Sequence, residues 1–460
     1  MKLNSYDNLI TSEIINGLDL PAHWRKIRFR HLFSFDRGLG ITKANLKDEG
    51  IPCVNYGEIH SKFGFEVIPE RDTLKCVDED YLETGKKSLL QNGDFVFADT
   101  SEDLEGSGNF TYLNSDETTF AGYHTVVARL QSDDNPRYIA YLFDSGRFRT
   151  QVRKSVTGVK VFSITQAILK STYVWLPTID EQSKIVELLD FRLSKIDDLI
   201  NKKKLTNKKL SLKRLSLINS AVTLGIKEDN ELEESNIAWL GKIPKTWKIR
   251  RLKFIFNFSR GLGITRADLK DSGIPCINYG EIHSKYGFEV DPERDLLKCV
   301  DETYYDTGKN ALLDFGDFVF ADTSEDLDGS GSFTYLNSKK PTFAGYHTVV
   351  ARLRTQDLPR YFAYLLDSEM FKWQIRKSVS GVKVFSITQG ILKSCYAWYP
   401  SLEEQLEIVS YLDKKTDYIK NALDKNNQAI EKLMELRKSL IDDAVTGKID
   451  LRDIETPEEG

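Results

Sequence analysis

The densest group of side chains suited to binding chemistry is RKSVTGVK, in which Arg153, Lys154, Ser155, Thr157 and Lys160 surround Gly158. A lysine ammonium is a point charge for phosphate, an arginine fork matches two acceptors on a guanine edge, and a glycine lets backbone approach a ligand closely. The loop returns as RKSVSGVK, with Arg376, Lys377, Ser378, Ser380 and Lys383. Two other segments carry the same kinds of donor. Arg37 and Lys43 flank GLGIT, and Arg260 and Arg266 are their copies. NYGEIHSK holds Asn55, Tyr56, His60 and Lys62, copied as Asn278, Tyr279, His283 and Lys285. Phosphate donors beside bidentate or stacking side chains are the two ingredients of a DNA-reading surface, where the first position and the second specify.

Catalytic alternatives find fewer residues. The carboxylates Asp94, Asp99, Glu102 and Asp103, copied as Asp317, Asp322, Glu325 and Asp326, could organise Mg²⁺ for phosphodiester cleavage. No lysine stands in their flanking run, and turn capping or support of nearby basic residues is the favoured reading. His60 and His124 recur in both copies, as turn or core imidazoles before base-contacting or catalytic ones. There is no GxxxxGK[ST] phosphate loop, no N/D-PP-Y/F methyltransferase motif and no glycine-rich S-adenosylmethionine loop; GLGIT does not head a βαβ pattern. The five cysteines, none in a CxxC pair, read as free thiols of a cytoplasmic protein. No apolar run reaches the ~18 residues of a membrane span, and no signal-peptide pattern opens the chain. A net charge of −5 weighs mildly against nucleic acid, although a basic groove can sit on an acidic molecule.

These residues are positioned by a sequence written twice. RGLGIT, IPC[VI]NYGEIHSK, GDFVFADTSEDL and GYHTVVARL all recur at one offset of 223 residues, without a gap from Trp24 through Thr223. Roughly three-quarters of positions between Asp36 and Pro177 are identical, far beyond the loose similarity of solenoid repeats. The chain is therefore divided into an N-terminal segment (1–23), a first globular domain (24–178), a long helix (179–225), an acidic linker (226–246), a second globular domain (247–401), a second long helix (402–448) and a tail (449–460). DFVFA and HTVVARL predict strands. NPRYIAYLFDSGRFRTQVRK predicts a helix, and Ser163 is placed to cap a short one. The fold class is α+β, with two tandem near-identical α/β domains.

Gly and Pro vanish from Asp180 and from Glu403 for over forty residues. Apolar residues fall at heptad steps, Leu189, Ile196, Leu210 and Leu217, then Leu412, Ile419, Leu433 and Leu440, with polar breaks at Lys203 and Asn426. This pattern predicts two helices of about 60 Å that pack as an antiparallel coiled coil and carry the domains at opposite ends. The basic stretch from Lys202 to Arg214 reads as a solvated helix face.

Together these elements resemble the specificity subunit of type I restriction-modification systems: GxxITKANL…GIPCVNYGEIH, GDFVFADTSED, SVTGVKVFSIT, the EQ-x-x-I helix start (Glu181-Gln182, Glu404-Gln405) and the end AVTGKIDLR from Ala444 to Arg452. The resemblance covers nearly the whole chain. It implies two target-recognition domains that each read half of a split site in double-stranded DNA, and two helices that space them and dock two modification subunits. Those partners would bring S-adenosylmethionine; motor-nuclease subunits would bring ATP and Mg²⁺ chemistry; this chain would bind no cofactor itself and make no bonds. Two departures stand out. Family members usually carry two different domains, and the first helix here ends SAVTLGIKED. The rival readings are a specificity part of a fused restriction-methylation complex, a two-headed binding protein on a coiled-coil bar, and an autonomous Mg²⁺ nuclease.

Overall fold

The computed structural model describes residues 6–12, 17–158, 160–381 and 384–450. It divides into two compact units, residues 1–203 with 428–460, and residues 204–427.

In the first unit a five-stranded sheet is built from β1 (Phe33–Arg37), β2 (Glu66–Val67), β3 (Phe95–Ala98), β4 (Phe110–Leu113) and β5 (Thr125–Leu130), in the order β1-β5-β3-β4-β2. All neighbours are antiparallel except β4 and β2. Every residue of β3 is buried, because both sheet faces are covered. One face carries Phe95, Phe97, Phe110 and Ala128 against the helix Pro136–Asp144; the other carries Val96, Ala98 and Val127 against Val54 and Ile59. A continuous apolar run such as FVFA suits a strand in that position. A three-stranded sheet of Phe120–Ala121, Ile51–Val54 and Lys75–Val77 flanks the second face.

Strand Arg25–Arg28, near the start of the domain, pairs with Tyr173–Leu176 at its end, so the domain closes on itself. The second unit repeats the plan with β6 (Phe256–Arg260), β7 (Glu289–Val290), β8 (Phe318–Ala321), β9 (Phe333–Leu336) and β10 (Thr348–Leu353), in the order β6-β10-β8-β9-β7, closed by Lys248–Arg251 against Tyr396–Tyr399.

Three expectations change. The helical stretch from Asn135 is two helices, Pro136–Asp144 and Gly146–Ser155, because Ser145 leaves helical geometry and its hydroxyl accepts from the Phe148 N–H as an N-cap. The cap of Gln166–Ser171 is Thr165, while Ser163 lies in a short strand paired with Thr100–Ser101. The acidic linker is an ordered hairpin, Leu232–Glu234 against Lys242–Pro244, whose Ile243 and neighbouring Leu240 are buried with Trp247. It matches the N-terminal hairpin Leu9–Ser12 and Leu18–Pro21 at the same offset, so each repeat begins earlier than the sequence identity suggests.

The long helices are α1 (Ile179–Leu224) and α2 (Leu402–Val445). Their 46 and 44 residues span about 69 and 66 Å. Both units hold a segment of each helix. In the first, the Trp175 indole N–H donates to the Val445 carbonyl, Arg437 Nε donates to Asp197, and Leu440, Ile441 and Ala444 join Leu189 and Ile196 in one core. In the second, the Trp398 indole N–H donates to the Val222 carbonyl, Lys227 pairs with Glu407, and Ile218 and Val222 join Ile408 and Leu412. The helical segments run antiparallel within each unit. The heptad break at Asn426 is a polar contact there: its amide donates to Asn207 Oδ1, and Asn207 donates to Asn427. The basic stretch is largely solvated, and its Arg214 pairs with Asp367 and lies over Phe288.

Candidate nucleic-acid interface

The strand order brings the candidate residues of a domain to one end of its sheet. In the first domain β1 and β3 end, and β4 and β5 begin, at that edge, which gathers Arg37, Asp99, Asn109 and His124. The basic loop is stitched onto the same edge by strand pairing of Phe162 with Ser101, by the Ile164 N–H donating to the Asp99 carbonyl, and by Arg153 Nη2 donating to the Glu105 carbonyl at 2.5 Å. A cleft of about 700 Å³ opens between these loops, lined by Tyr56, His60, Glu102, Asn109, His124 and Val161 among others. In the second domain a cleft of about 460 Å³ is lined by Arg260, Asp322, His347, Ser386 and Gln389.

Several candidates are exposed and their side chains make no hydrogen bond to the described residues: Arg37 and Lys43, Arg260 and Arg266, Lys154, Thr157 and Lys160, and Ser380. Lys377 is exposed and lies over the Trp373 ring. Lys43 and Arg266 sit in 3₁₀ turns that open with capping boxes from Thr42 and Thr265. Lys62 lies 3.6 Å from Glu58 in its own turn, and Lys285 donates to the Leu296 carbonyl, so both have partners in the protein. Lys383 falls outside the described residues.

Other candidates are corrected by their surroundings. Asn55 and Asn278 are each only 2% exposed and cannot reach a base edge. Asn55 donates to the Cys53 carbonyl and to Glu58. Its Oδ1 would lie 2.0 Å from a Cβ at Gly122, whose own carbonyl would lie 1.9 Å from a Cβ at Gly38. Asn55 therefore shapes the turn before β5 from beneath. His60 has both ring nitrogens engaged, Nε2 donating to the Thr100 carbonyl at 2.8 Å and Nδ1 accepting from Asn109 at 2.9 Å. That fixes a neutral tautomer in a bracing role. His283 makes the equivalent bond to the Thr323 carbonyl. Ser155 and Ser378 turn back onto their own helices at Gln151 and Gln374.

Arg153 and Arg376 stand in the last turns of helices, not in the loop, and hold the acidic turn by its backbone at Glu105 and Asp328. In each the Nε is buried without a partner. Burial, followed by the like charge of Arg149, lowers the Arg153 pKa from its ordinary value. Part of each guanidinium is thus held by the protein.

The acidic residues are used separately. Asp94 is 2% exposed and takes a bidentate pair from Arg129, as Asp317 does from Arg352. Asp99 accepts from His124 Nδ1 at 3.1 Å, and Asp103 accepts from the Gly106 N–H. Among the described residues no three His, Cys, Asp or Glu side chains converge to hold a metal.

A second group stands at the same edge, in which the sequence had put Tyr56 forward, weighed His124 as a turn or core imidazole before a base-contacting one, and passed over Tyr123. Tyr123 and His124 precede β5 in a turn, and the Tyr56 ring stands edge-on to both, at 5.5 and 5.4 Å between centroids. Tyr279, Tyr346 and His347 repeat the cluster at 5.5 and 5.3 Å. The only signal in the sequence was the recurrence of GYH before a strand, which a buried turn would produce equally.

Comparison with known proteins adds a further observation. A model of the type I restriction modification DNA specificity domain matches residues 21–211 and, again, residues 244–432. The chain is 23% identical over 334 residues to the MjaVIII specificity subunit of Methanocaldococcus jannaschii, covering 72% of this chain and 75% of that one. It is 23% identical over 470 residues to the EcoBI specificity subunit of Escherichia coli, covering 98% and 91%. Its fold resembles a chain solved in a study of assembly and conformational transition of the type I R-M system, with a TM-score of 0.65 at 16% identity over 94% of this chain and 99% of that one.

Proposed function

The chain belongs to the type I restriction-modification DNA specificity family, and from that membership we propose that it reads a bipartite site in double-stranded DNA and scaffolds the subunits that act there. Each recognition domain takes one half of the site. Because both domains carry the same candidate surface, the halves have the same sequence, arranged as an inverted repeat about an unspecified spacer. Dimeric readers mirror their symmetry in their sites in the same way. Two modification subunits dock on the chain and supply S-adenosylmethionine, and motor-nuclease subunits supply ATP- and Mg²⁺-dependent cutting; the specificity chain makes no bonds. The complex acts in the cytoplasm.

The observation that carries this reading is the double match of one DNA-specificity model, once on each repeat. The exposed cations at one edge of each sheet support it, since phosphate contacts need unpaired donors. The test is sequencing of methylated adenines in host DNA with and without this gene. The expected result is a gene-dependent motif with two like halves. A motif with two unrelated halves would refute the symmetry, and no gene-dependent methylation would refute the function.

A further inference from the structure

His124 and His347 hold an uncommon backbone conformation. Their φ angles are 54° and 53°, and of the three non-glycine residues with positive φ among the described residues these are two. A non-glycine side chain in that region is strained, and such strain collects where a side chain must be aimed. The histidine side chains are 57% and 59% exposed, so packing does not explain them.

Each histidine is locked from two directions. The Asp99 N–H donates to the His124 carbonyl at 3.0 Å, and the Asp99 carboxylate faces His124 Nδ1 at 3.1 Å. Asp322 does the same for His347 at 3.0 and 3.2 Å. Tyr56 and Tyr123, and Tyr279 and Tyr346, stand edge-on to the imidazoles and fix the ring planes. A carboxylate on Nδ1 selects the tautomer with the proton there, which leaves a lone pair on Nε2. Nε2 has no hydrogen-bond partner among the described residues.

A lone-pair acceptor backed by a carboxylate repels phosphate. Its complement is a donor, and the donors on the major-groove edges of bases are the amino groups of adenine and cytosine. Exposed cations stand on the same sheet edge to take the phosphates. The two copies show what the fold leaves free to vary. Core positions differ, with Phe29 and Phe143 becoming Leu252 and Leu366, and so do bracing positions, with Asn109 and Arg149 becoming Ser332 and Lys372. Tyr56, Asp99, Tyr123 and His124 all recur.

We propose that Tyr123-His124 and Tyr346-His347 form the base-reading ridge of each domain, with the imidazole Nε2 accepting a hydrogen bond from a base amino group. This rests on the DNA-reading function proposed above. Asp99, Asp322, Tyr56 and Tyr279 are positioning residues.

The test is enrichment of random-sequence duplex DNA by the full chain assembled with its modification subunits. The variant is His124→Asn with His347→Asn, because asparagine tolerates positive φ and is too short to replace the imidazole. The wild type should enrich a bipartite motif. The variant should enrich the same motif with one base pair, at the same place in both halves, relaxed by roughly tenfold, and with the salt dependence unchanged. His124→Asn alone should relax one half only. If the histidine variants melt early, Asp99→Asn with Asp322→Asn keeps the shape and should relax the same position. A folded variant with an unaltered motif, or a uniform loss of affinity across all sequences, overturns the ridge. A wild type that enriches no motif removes the DNA-reading function itself, and the ridge with it.

Discussion

Gln182 and Gln405 are wholly buried and perform the same task at the start of the two long helices. The Gln182 amide donates to Asp134 and to the Pro177 carbonyl and accepts from the Asn135 N–H; Gln405 repeats this with Asp357, Pro400 and Leu358. The EQ motif is thus a lock between helix and domain. Gln182→Leu would remove one of three donors to the buried Asp134, which keeps Arg25 and Ser132, and would orphan the Asn135 N–H, so a loss of about 2 kcal/mol is expected in urea unfolding of the first unit. Glu181 beside it accepts from the Tyr6 hydroxyl at 2.6 Å and faces His23 Nε2 at 2.9 Å. Burial pushes its carboxyl up, but the bonds from Tyr6, His23 and Thr178 outweigh burial and hold it below the ordinary 4.5. A depressed folded-state pKa gives stability that is present above 4.5 and lost as pH falls through the lower folded value. Melting temperature measured from pH 6 downward should therefore fall through that window on account of Glu181, and less steeply in Glu181→Gln.

At the scale of elements, each long helix ends in the core of a domain it does not follow in sequence. Arg437 reaches Asp144 and Asp197, Asp442 accepts from the Gly146 N–H, and Val445 accepts from Trp175. In the second unit Arg214 reaches Asp367, Asn219 accepts from the Glu369 N–H, and Val222 accepts from Trp398. The ends are glycines in the left-handed region, Gly447 at φ 67° and Gly225 at φ 78°. A Cβ at Gly447 would lie 2.4 Å from Pro21. The departure SAVTLGIKED is thus the same helix stop placed one residue later. Deleting residues from Arg437 onward should uncover Trp175 and the apolar face around it. Hydrogen exchange is expected to rise across 24–178 and to stay unchanged across 247–401. Equal acceleration in both domains would mean that the helix end supports the whole chain instead.

For the whole molecule, a net charge of −5 sets a field that opposes DNA, so binding must come from local clusters. Lys154 and Lys377, both exposed at the last turn before the glycine loop, are the cations best placed for phosphate. Lys154→Ala with Lys377→Ala should lower the slope of log affinity against log salt by roughly 0.9 per lost contact and leave the preferred sequence unchanged. An unaltered slope in a titration of the assembled complex would show that these lysines face solvent only. The first compact unit is discontinuous in sequence and joins residues 1–203 to 428–460, whereas the second is the continuous run 204–427. The first is not completed until both long helices have been made.

The sequence by itself determined the duplication, the long helices and the family. Repeats at a fixed offset, heptads without Gly or Pro, and a paired Glu-Gln at a helix start are properties of order along the chain. It also brought forward segments that the fold gathers, since Arg37, Tyr56 and the loop at Gly158 belong to one sheet edge. It could not rank the residues within them. Asn55 and Arg153 have the chemistry of base readers, yet one is buried beneath a glycine turn and the other is bound to a backbone carbonyl. His60 and His124 look alike in the sequence, and only the fold engages both nitrogens of the first while leaving Nε2 of the second without a partner. The physical reason is that a side chain's availability depends on which other groups satisfy it. Those groups come from strands and turns tens of residues away, placed by strand order and burial and not by their neighbours in sequence.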